Sequence, residues 1–187
     1  MKFIKNTFWA FIPARSGSKK IKNKNLLKLK NTPLLAYPIR TGLKNKMIDK
    51  VYFSSDSKEY LKIAEKYGCK NLLLRKQKFS KDNSSDLDVF KDFVNIMMIR
   101  KEDLPEFIVH LRPTSPIRKD RTITDGIKKF LFNKEKYSSL RSVSLMSNPS
   151  FKTFRIRNRK LCSINKIDFS LDKYNLPKEM FEKTYFP

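Results

Sequence analysis

Glycine is scarce in this chain, with four in 187 residues. Only Gly17 falls in the loop that follows the first apolar run, so neither GxGxxG nor GxxxxGKS/T can be written across it, and both common glycine-rich phosphate loops are excluded there. Cysteine is limited to Cys69 and Cys162. They stand far apart in neither CxxC nor metal-ligand spacing, so two reduced thiols in a cytoplasmic protein are expected. The single histidine, His110, lies inside a strand-like run and reads as packed rather than catalytic. No apolar run approaches the roughly 20 residues a membrane span needs. The start lacks a small-residue cleavage site and reads as a first strand, not a signal peptide. Acidic residues are few, 18 against 42 Lys and Arg, for a net charge of +24. That balance suits a polyanionic small substrate or nucleic acid, although many of the lysines outside residues 15–25 also fit solvated helix faces. Hydrophobic residues at 40% and aromatics at 12% exclude disorder and support one domain over residues 1–187.

What is present begins with residues 8–25, FWAFIPARSGSKKIKNKN. An apolar run, Phe8 to Ile12, feeds a loop carrying Arg15, Ser16, Gly17, Ser18, Lys19, Lys20, Lys22 and Lys24. Buried strand, sharp turn and small residues among cations are the layout of an anion cradle. Gly17 and the serines would turn backbone N–H groups toward the anion while the cations neutralise it. Thirteen Lys and Arg against one acidic residue fall within residues 1–50, half of the net charge.

Beyond a short connector at 26–31, Thr32-Pro33 predicts a helix start, with Pro38 kinking or interrupting the helix. Val51 to Ser54 predicts a second strand, and Asp56 or Ser57 caps a helix closed by Gly68. Leu72–Leu74 predicts a third strand, followed by a polar loop and a helix over about 87–100. Phe107–Leu111 is the most strand-like run and stops at Arg112-Pro113-Thr114-Ser115-Pro116, a rigid turn. A helix capped by Asp120 or Thr122 reaches Asn133, and Leu140–Leu145 predicts a further strand. Residues 151–164 read as a basic hairpin, while 168–187 show no periodicity. Strands alternating with helices predict a three-layer α/β fold with a mostly parallel sheet. Ligands of such sheets sit beyond the carboxyl ends of the strands. There the loops 13–25, 54–57, 75–86 and 112–118 converge.

Several segments together resemble the acylneuraminate cytidylyltransferases, which make CMP-sialic acids. They are IPARSGSKKIKNKN, PLLAYPI, SSDS, Arg75 with DNSSDLDV, HLRPTSPIR and SVSLMSNPSFKTF, in the family's order. The resemblance implies a nucleotide-diphospho-sugar transferase-like, Rossmann-like fold. It implies CTP and a 2-keto nonulosonic acid (sialic, legionaminic or pseudaminic type) as substrates, CMP-sugar and pyrophosphate as products, and Mg²⁺ as cofactor. By the same resemblance Arg15 and Lys24 are the catalytic cations. Ser18 and Lys19 hold phosphates, Asn25 and Arg75 contact cytosine, and Ser84 to Asp86 close over base and ribose. Arg112 and Arg118 then receive the acid's carboxylate.

The chain departs from the family at Ser16 and Lys20, where glycine is common, and at Arg112, where glutamine is common. Family members also continue past the equivalent of Pro187 into an Asp-x-Asp metal motif and strands of the core and dimer. The sequence is therefore expected to be either a fragment or a shortened relative, with poor solubility or weak activity, no nameable metal ligands and the family homodimer in doubt. Competing readings are a non-catalytic nucleotide-binding relative, an enzyme for the shorter acid Kdo, and a nucleic-acid-binding protein. The last fits poorly, because the cations cluster at one loop and the Phe residues follow core periodicity.

Overall fold

Residues Phe8 to Ile12 are all buried, and a strand apolar on both faces belongs in the middle of a parallel sheet covered on both sides. A computed structural model describes residues 2–18, 21–81, 84–147, 154–158, 160–163 and 183–186. In chain order the strands are β1 (Phe3–Pro13), β2 (Lys28–Leu29), β3 (Thr32–Pro33), β4 (Lys50–Ser55), β5 (Asn71–Leu74) and β6 (Leu104–His110), then β7 (Ser144–Leu145), β8 (Phe154–Arg157), β9 (Lys160–Ser163) and β10 (Tyr185–Phe186). The helices are α1 (Ala36–Lys44), α2 (Lys58–Lys66), α3 (Asp86–Ile99) and α4 (Asp120–Asn133). The chain divides into two units, Met1–Lys129 and Phe130–Pro187.

In the first unit the sheet order is β5-β4-β1-β6, and every neighbouring pair is parallel. Alternation along β1 sorts its side chains into two cores. Ala10 and Ile12 pack with Leu35, Ala36 and Ile39 of the α1 segment and with Tyr60 and Ala64 of α2. Trp9 and Phe11 pack with Val89, Phe93 and Met97 of α3. Helices on both faces of a parallel sheet make the expected three layers. Helix α1 lies close in: a Cβ on Gly42 would stand 3.0 Å from Val51 Cγ2 and 3.3 Å from Ala10 Cβ. Cys69 is buried, and burial pushes its thiol up to about 11.

Three expectations are corrected, and a choice between two caps is decided. Thr32-Pro33 does not start a helix; it pairs antiparallel with Lys28–Leu29 across a turn in which Lys30 and Asn31 have φ of 46° and 61°. Pro38 does not interrupt α1 either. It is the third residue of a helix that begins at Ala36 and runs to Lys44, where a missing N–H has no intrahelical acceptor to lose. Ser57, not Asp56, caps α2, accepting from the Tyr60 N–H at 3.3 Å. Finally, Leu140–Leu145 adds no strand to the parallel sheet. Only Ser144–Leu145 is extended, paired antiparallel with Tyr185–Phe186, and Leu140, Val143 and Leu145 are exposed.

In the second unit β8 and β9 form an antiparallel pair, the basic hairpin read from 151–164. Residues 164–182 lie outside the described residues.

Candidate functional site

Strand register brings the loops together. Pro13 pairs with Ser54 and Ser55 with Leu74. The pairing is extended by the Ala14 N–H to Ser54 O at 2.9 Å and the Arg75 N–H to Ser55 O at 2.8 Å. Arg15, Asp56 and Arg75 therefore leave the sheet side by side. On the other flank of β1 the Leu111 N–H reaches Phe11 O at 3.0 Å, which delivers Arg112 to the same end. Beyond these ends lies a cavity of about 240 Å³.

Arg15, Ser18, Lys24, Asn25 and Arg75 line it together with Ser84, Asp86 and Arg112. Eight of the ten residues singled out from the sequence thus share one cavity. Lys19 lies outside the described residues. Arg118 does not line the cavity; it is half-buried, its guanidinium is pulled down by burial, and its N–H closes a turn onto Pro116 O at 3.1 Å. The sequence reading passed over Phe79, Lys81 and Thr114, which also line the cavity. Lys81 and Phe79 sit in the polar loop after Arg75, where spacing does not distinguish one loop residue from the next.

Arg75 is 4% exposed. Its Nε donates to Ser80 Oγ at 3.1 Å, and its Nη2 has no hydrogen-bond partner among the described residues. Burial lowers its pKa, opposed by Asp56 and Asp92 and reinforced by the like charge of Arg15. An unanswered guanidinium nitrogen at a cavity wall is a donor set for an acceptor on a ligand, since leaving it unmet costs on the order of 1–3 kcal/mol. Asn25 is also buried. Its Nδ2 donates to Arg15 O at 3.0 Å, and its own carbonyl accepts from the Leu35 N–H at 3.0 Å, so the bend after Lys24 is tied both to the loop and to the start of α1.

Two of the loop amides expected to face an anion are used within the protein. The Ser16 N–H is held by Asp56 Oδ1 at 2.8 Å and the Ser18 N–H by Ser16 O at 2.8 Å. Both amides turn inward because nearby acceptors capture them, so neither of these two is offered to an anion. Ser84 is likewise used locally: its Oγ accepts from the Lys81 N–H at 3.1 Å and donates to Lys78 O at 3.4 Å. The next residue, Ser85, forms a reciprocal capping box with Asp88 and starts α3.

The wall carries five cations (Arg15, Lys24, Arg75, Lys81, Arg112) and one carboxylate, Asp86, which is paired with Arg112. Such a wall favours a ligand with several negative charges. Among the described residues no group of three or more His, Cys, Asp or Glu converges as a metal site, so these residues do not fit a protein-held cation. His110 stands edge-on to Phe90 with ring centroids 5.1 Å apart and does not line the cavity.

The model of a family described as cytidylyltransferase matches residues 9–163. Among curated relatives, the N-acylneuraminate cytidylyltransferase of Escherichia coli O18:K1:H7 is 37% identical over 89% of this chain and 38% of its own length. The pseudaminic acid cytidylyltransferase of Campylobacter jejuni serotype O:2 is 31% identical over 67% of this chain and 54% of its own. The chain thus spans between about a third and just over half of the lengths of these two relatives. Among solved structures, a 4-diphosphocytidyl-2C-methyl-D-erythritol synthase superposes with a TM-score of 0.62 at 7% identity, covering 88% of this chain and 71% of that one. A CMP:2-keto-3-deoxy-manno-octonic acid synthetase complexed with CTP gives 0.55 at 18% identity, covering 68% and 48%. At such identities these two structures speak to the fold alone. No helix among the described residues is long and apolar enough to cross a membrane.

Proposed function

The chain belongs to the cytidylyltransferase family, and on that footing we propose that the cavity binds CTP. The protein would then transfer CMP to a nonulosonic acid of sialic or pseudaminic type with release of pyrophosphate. The observation that carries this reading is Arg75, buried at the cavity wall with one guanidinium nitrogen unanswered. A cytosine ring offers carbonyl and ring-nitrogen acceptors to such a donor, and Arg15, Lys24 and Lys81 suit a triphosphate. The names of the relatives from E. coli and C. jejuni support the two acid types.

In this reading Arg15 and Lys24, with Ser18 and Lys19, face the phosphates. Asn25 and Arg75 face the base, while Ser84 and Asp86 lie toward base and ribose. Arg112 receives the acid's carboxylate in exchange for Asp86, which suits a planar guanidinium fork. The sugar hydroxyl attacks the α-phosphorus, the bond to the pyrophosphate oxygen breaks, and the hydroxyl proton leaves to solvent. Catalysis of this kind rests on holding the two reactants in line and on neutralising the charge that grows on the phosphate oxygens. Lys24 and Arg15 supply that neutralisation. Mg²⁺ is proposed to accompany CTP, where it would offset triphosphate charge, and the cytoplasm is the proposed location.

Calorimetric titration of this chain with CTP, UTP and ATP tests the site, with pyrophosphate release measured over a panel of nonulosonic acids. CTP is expected to bind at least about tenfold more tightly than UTP, one unmet hydrogen bond being enough for that ratio. Equal affinity for the three nucleotides would overturn the reading.

A further inference from the structure

Asp56 accepts two hydrogen bonds from one residue of the opening loop. The Ser16 N–H reaches Oδ1 at 2.8 Å and the Ser16 hydroxyl reaches Oδ2 at 3.0 Å. The carboxylate stands at the end of β4, one position past the Ser55–Leu74 pair, beside Arg75. It is not needed for capping, since Ser57 caps α2, and it does not line the cavity. The other bonds to the described part of the loop go to backbone carbonyls, from Asn25 Nδ2 to Arg15 O and from the Ser18 N–H to Ser16 O. A Cβ built on Gly17 would find no atom within 4 Å, so no side-chain packing is available at Gly17 itself.

We propose that Asp56 is a positioning residue for the phosphate-binding loop, holding it through Ser16 so that Arg15 and Ser18 present to the phosphate end of the cavity. The inference rests on the CTP reading. The like charges of two guanidinium groups at the cavity wall, Arg15 and Arg75, repel one another. A fixed carboxylate beside them offsets that repulsion and anchors the loop with charge-assisted hydrogen bonds. The charge of Asp56 is also felt by Arg75 and Tyr60.

The test compares CTP with CMP on the whole chain by calorimetry, because the two share base, ribose and α-phosphate and differ in the phosphates the loop would hold. Asp56→Asn is expected to weaken CTP by about tenfold or more, the scale of a charge-assisted hydrogen bond, while CMP changes less than about threefold. Ser16→Ala removes one of the two bonds from a half-exposed side chain. It is expected to shift the CTP-to-CMP affinity ratio in the same direction by about three- to tenfold, even should Asp56→Asn fail to fold. Asp56→Glu keeps the charge and should recover part of the ratio. An unchanged ratio in both Asp56→Asn and Ser16→Ala overturns the positioning role, as does an equal loss of CTP and CMP. Wild-type chain that binds no CTP is a different result and overturns the nucleotide reading itself.

Discussion

Arg112 and Asp86 meet guanidinium to carboxylate at the cavity wall, one from the turn after β6 and the other from the first turn of α3. The proposed receptor for the acid's carboxylate is thus occupied by an internal carboxylate of similar shape. Both side chains are about half exposed, so the pair is worth little to stability, on the order of 0–1 kcal/mol. Its effect belongs to binding. Asp86→Asn is expected to lower the KM for the sugar acid by about two- to fivefold by removing the competitor. Arg112→Ala is expected to raise it by about tenfold or more, with Arg112→Lys a poor substitute because it lacks the fork. Initial rates of pyrophosphate release measure both, and equal KM values in wild type and Asp86→Asn would refute the competition.

Arg75 offers a sharper separation of charge from shape. Arg75→Met keeps much of the volume and removes the unmet donor. CTP affinity should fall by about ten- to a hundredfold, the range for hydrogen bonds from a charged group. Arg75→Lys should not recover it, because the Nε bond to Ser80 Oγ fixes a planar group that a flexible ammonium does not reproduce. Recovery of wild-type affinity in the lysine variant would remove Arg75 from the base-recognition role.

Alkaline stability should carry a signature of Tyr52. Burial, then the charge of Glu102 and its hydrogen bond, push this phenol from 10.0 up to about 12. In the window between those values the unfolded chain loses the proton while the folded chain keeps it. The contribution is therefore complete below about pH 10 and is lost as pH rises through about 12. A displacement of that size corresponds to roughly 2–3 kcal/mol. Tyr52→Phe should flatten this part of the stability curve, read from urea midpoints at closely spaced pH values. An unchanged slope in Tyr52→Phe would contradict the assignment.

The caps make a local prediction. Ser57→Ala removes the acceptor of the Tyr60 N–H and should cost about 1 kcal/mol. Asp56→Ala should leave the α2 N-terminus capped. Thermal melts of the two variants separate a cap from a loop anchor, since only Ser57→Ala should reduce helix content at the α2 start by hydrogen exchange.

Much of this arrangement was legible in the sequence because its cause is local. The apolar runs at Phe8–Ile12, Val51–Ser54 and Phe107–Leu111 each became a strand of the parallel sheet, and the helical spacing of Val89, Phe93 and Met97 became the inner face of α3. The site loops followed from the strand ends. What resisted reading is non-local. Asp56 and Ser57 are equally able to cap, and the choice is decided by Ser16, forty residues away in the chain. Lys30 and Asn31 adopt positive φ without a glycine to announce the turn. Leu140–Leu145 has strand-like residues, but its partner is Tyr185–Phe186, and no pattern within the segment names that partner. Arg112 and Asp86 each looked like ligand-binding residues, and nothing in either motif signals that they pair.

The close seat of α1 at Gly42 makes that helix a depth gauge for the cavity. Its approach to β4 is set by the absence of a single methyl group, and the residue before it, Leu35, is bonded through its N–H to the carbonyl of Asn25. Asn25 in turn holds Arg15 O through its side chain. Gly42→Ala, at a position that does not line the cavity, should lift α1 from the sheet at a cost of about 1–3 kcal/mol and carry Asn25 and Arg15 with it. The spacing between the proposed base and phosphate sites would then be governed from a helix on one face of the sheet, so changes in nucleotide preference need not arise at the residues that touch the nucleotide.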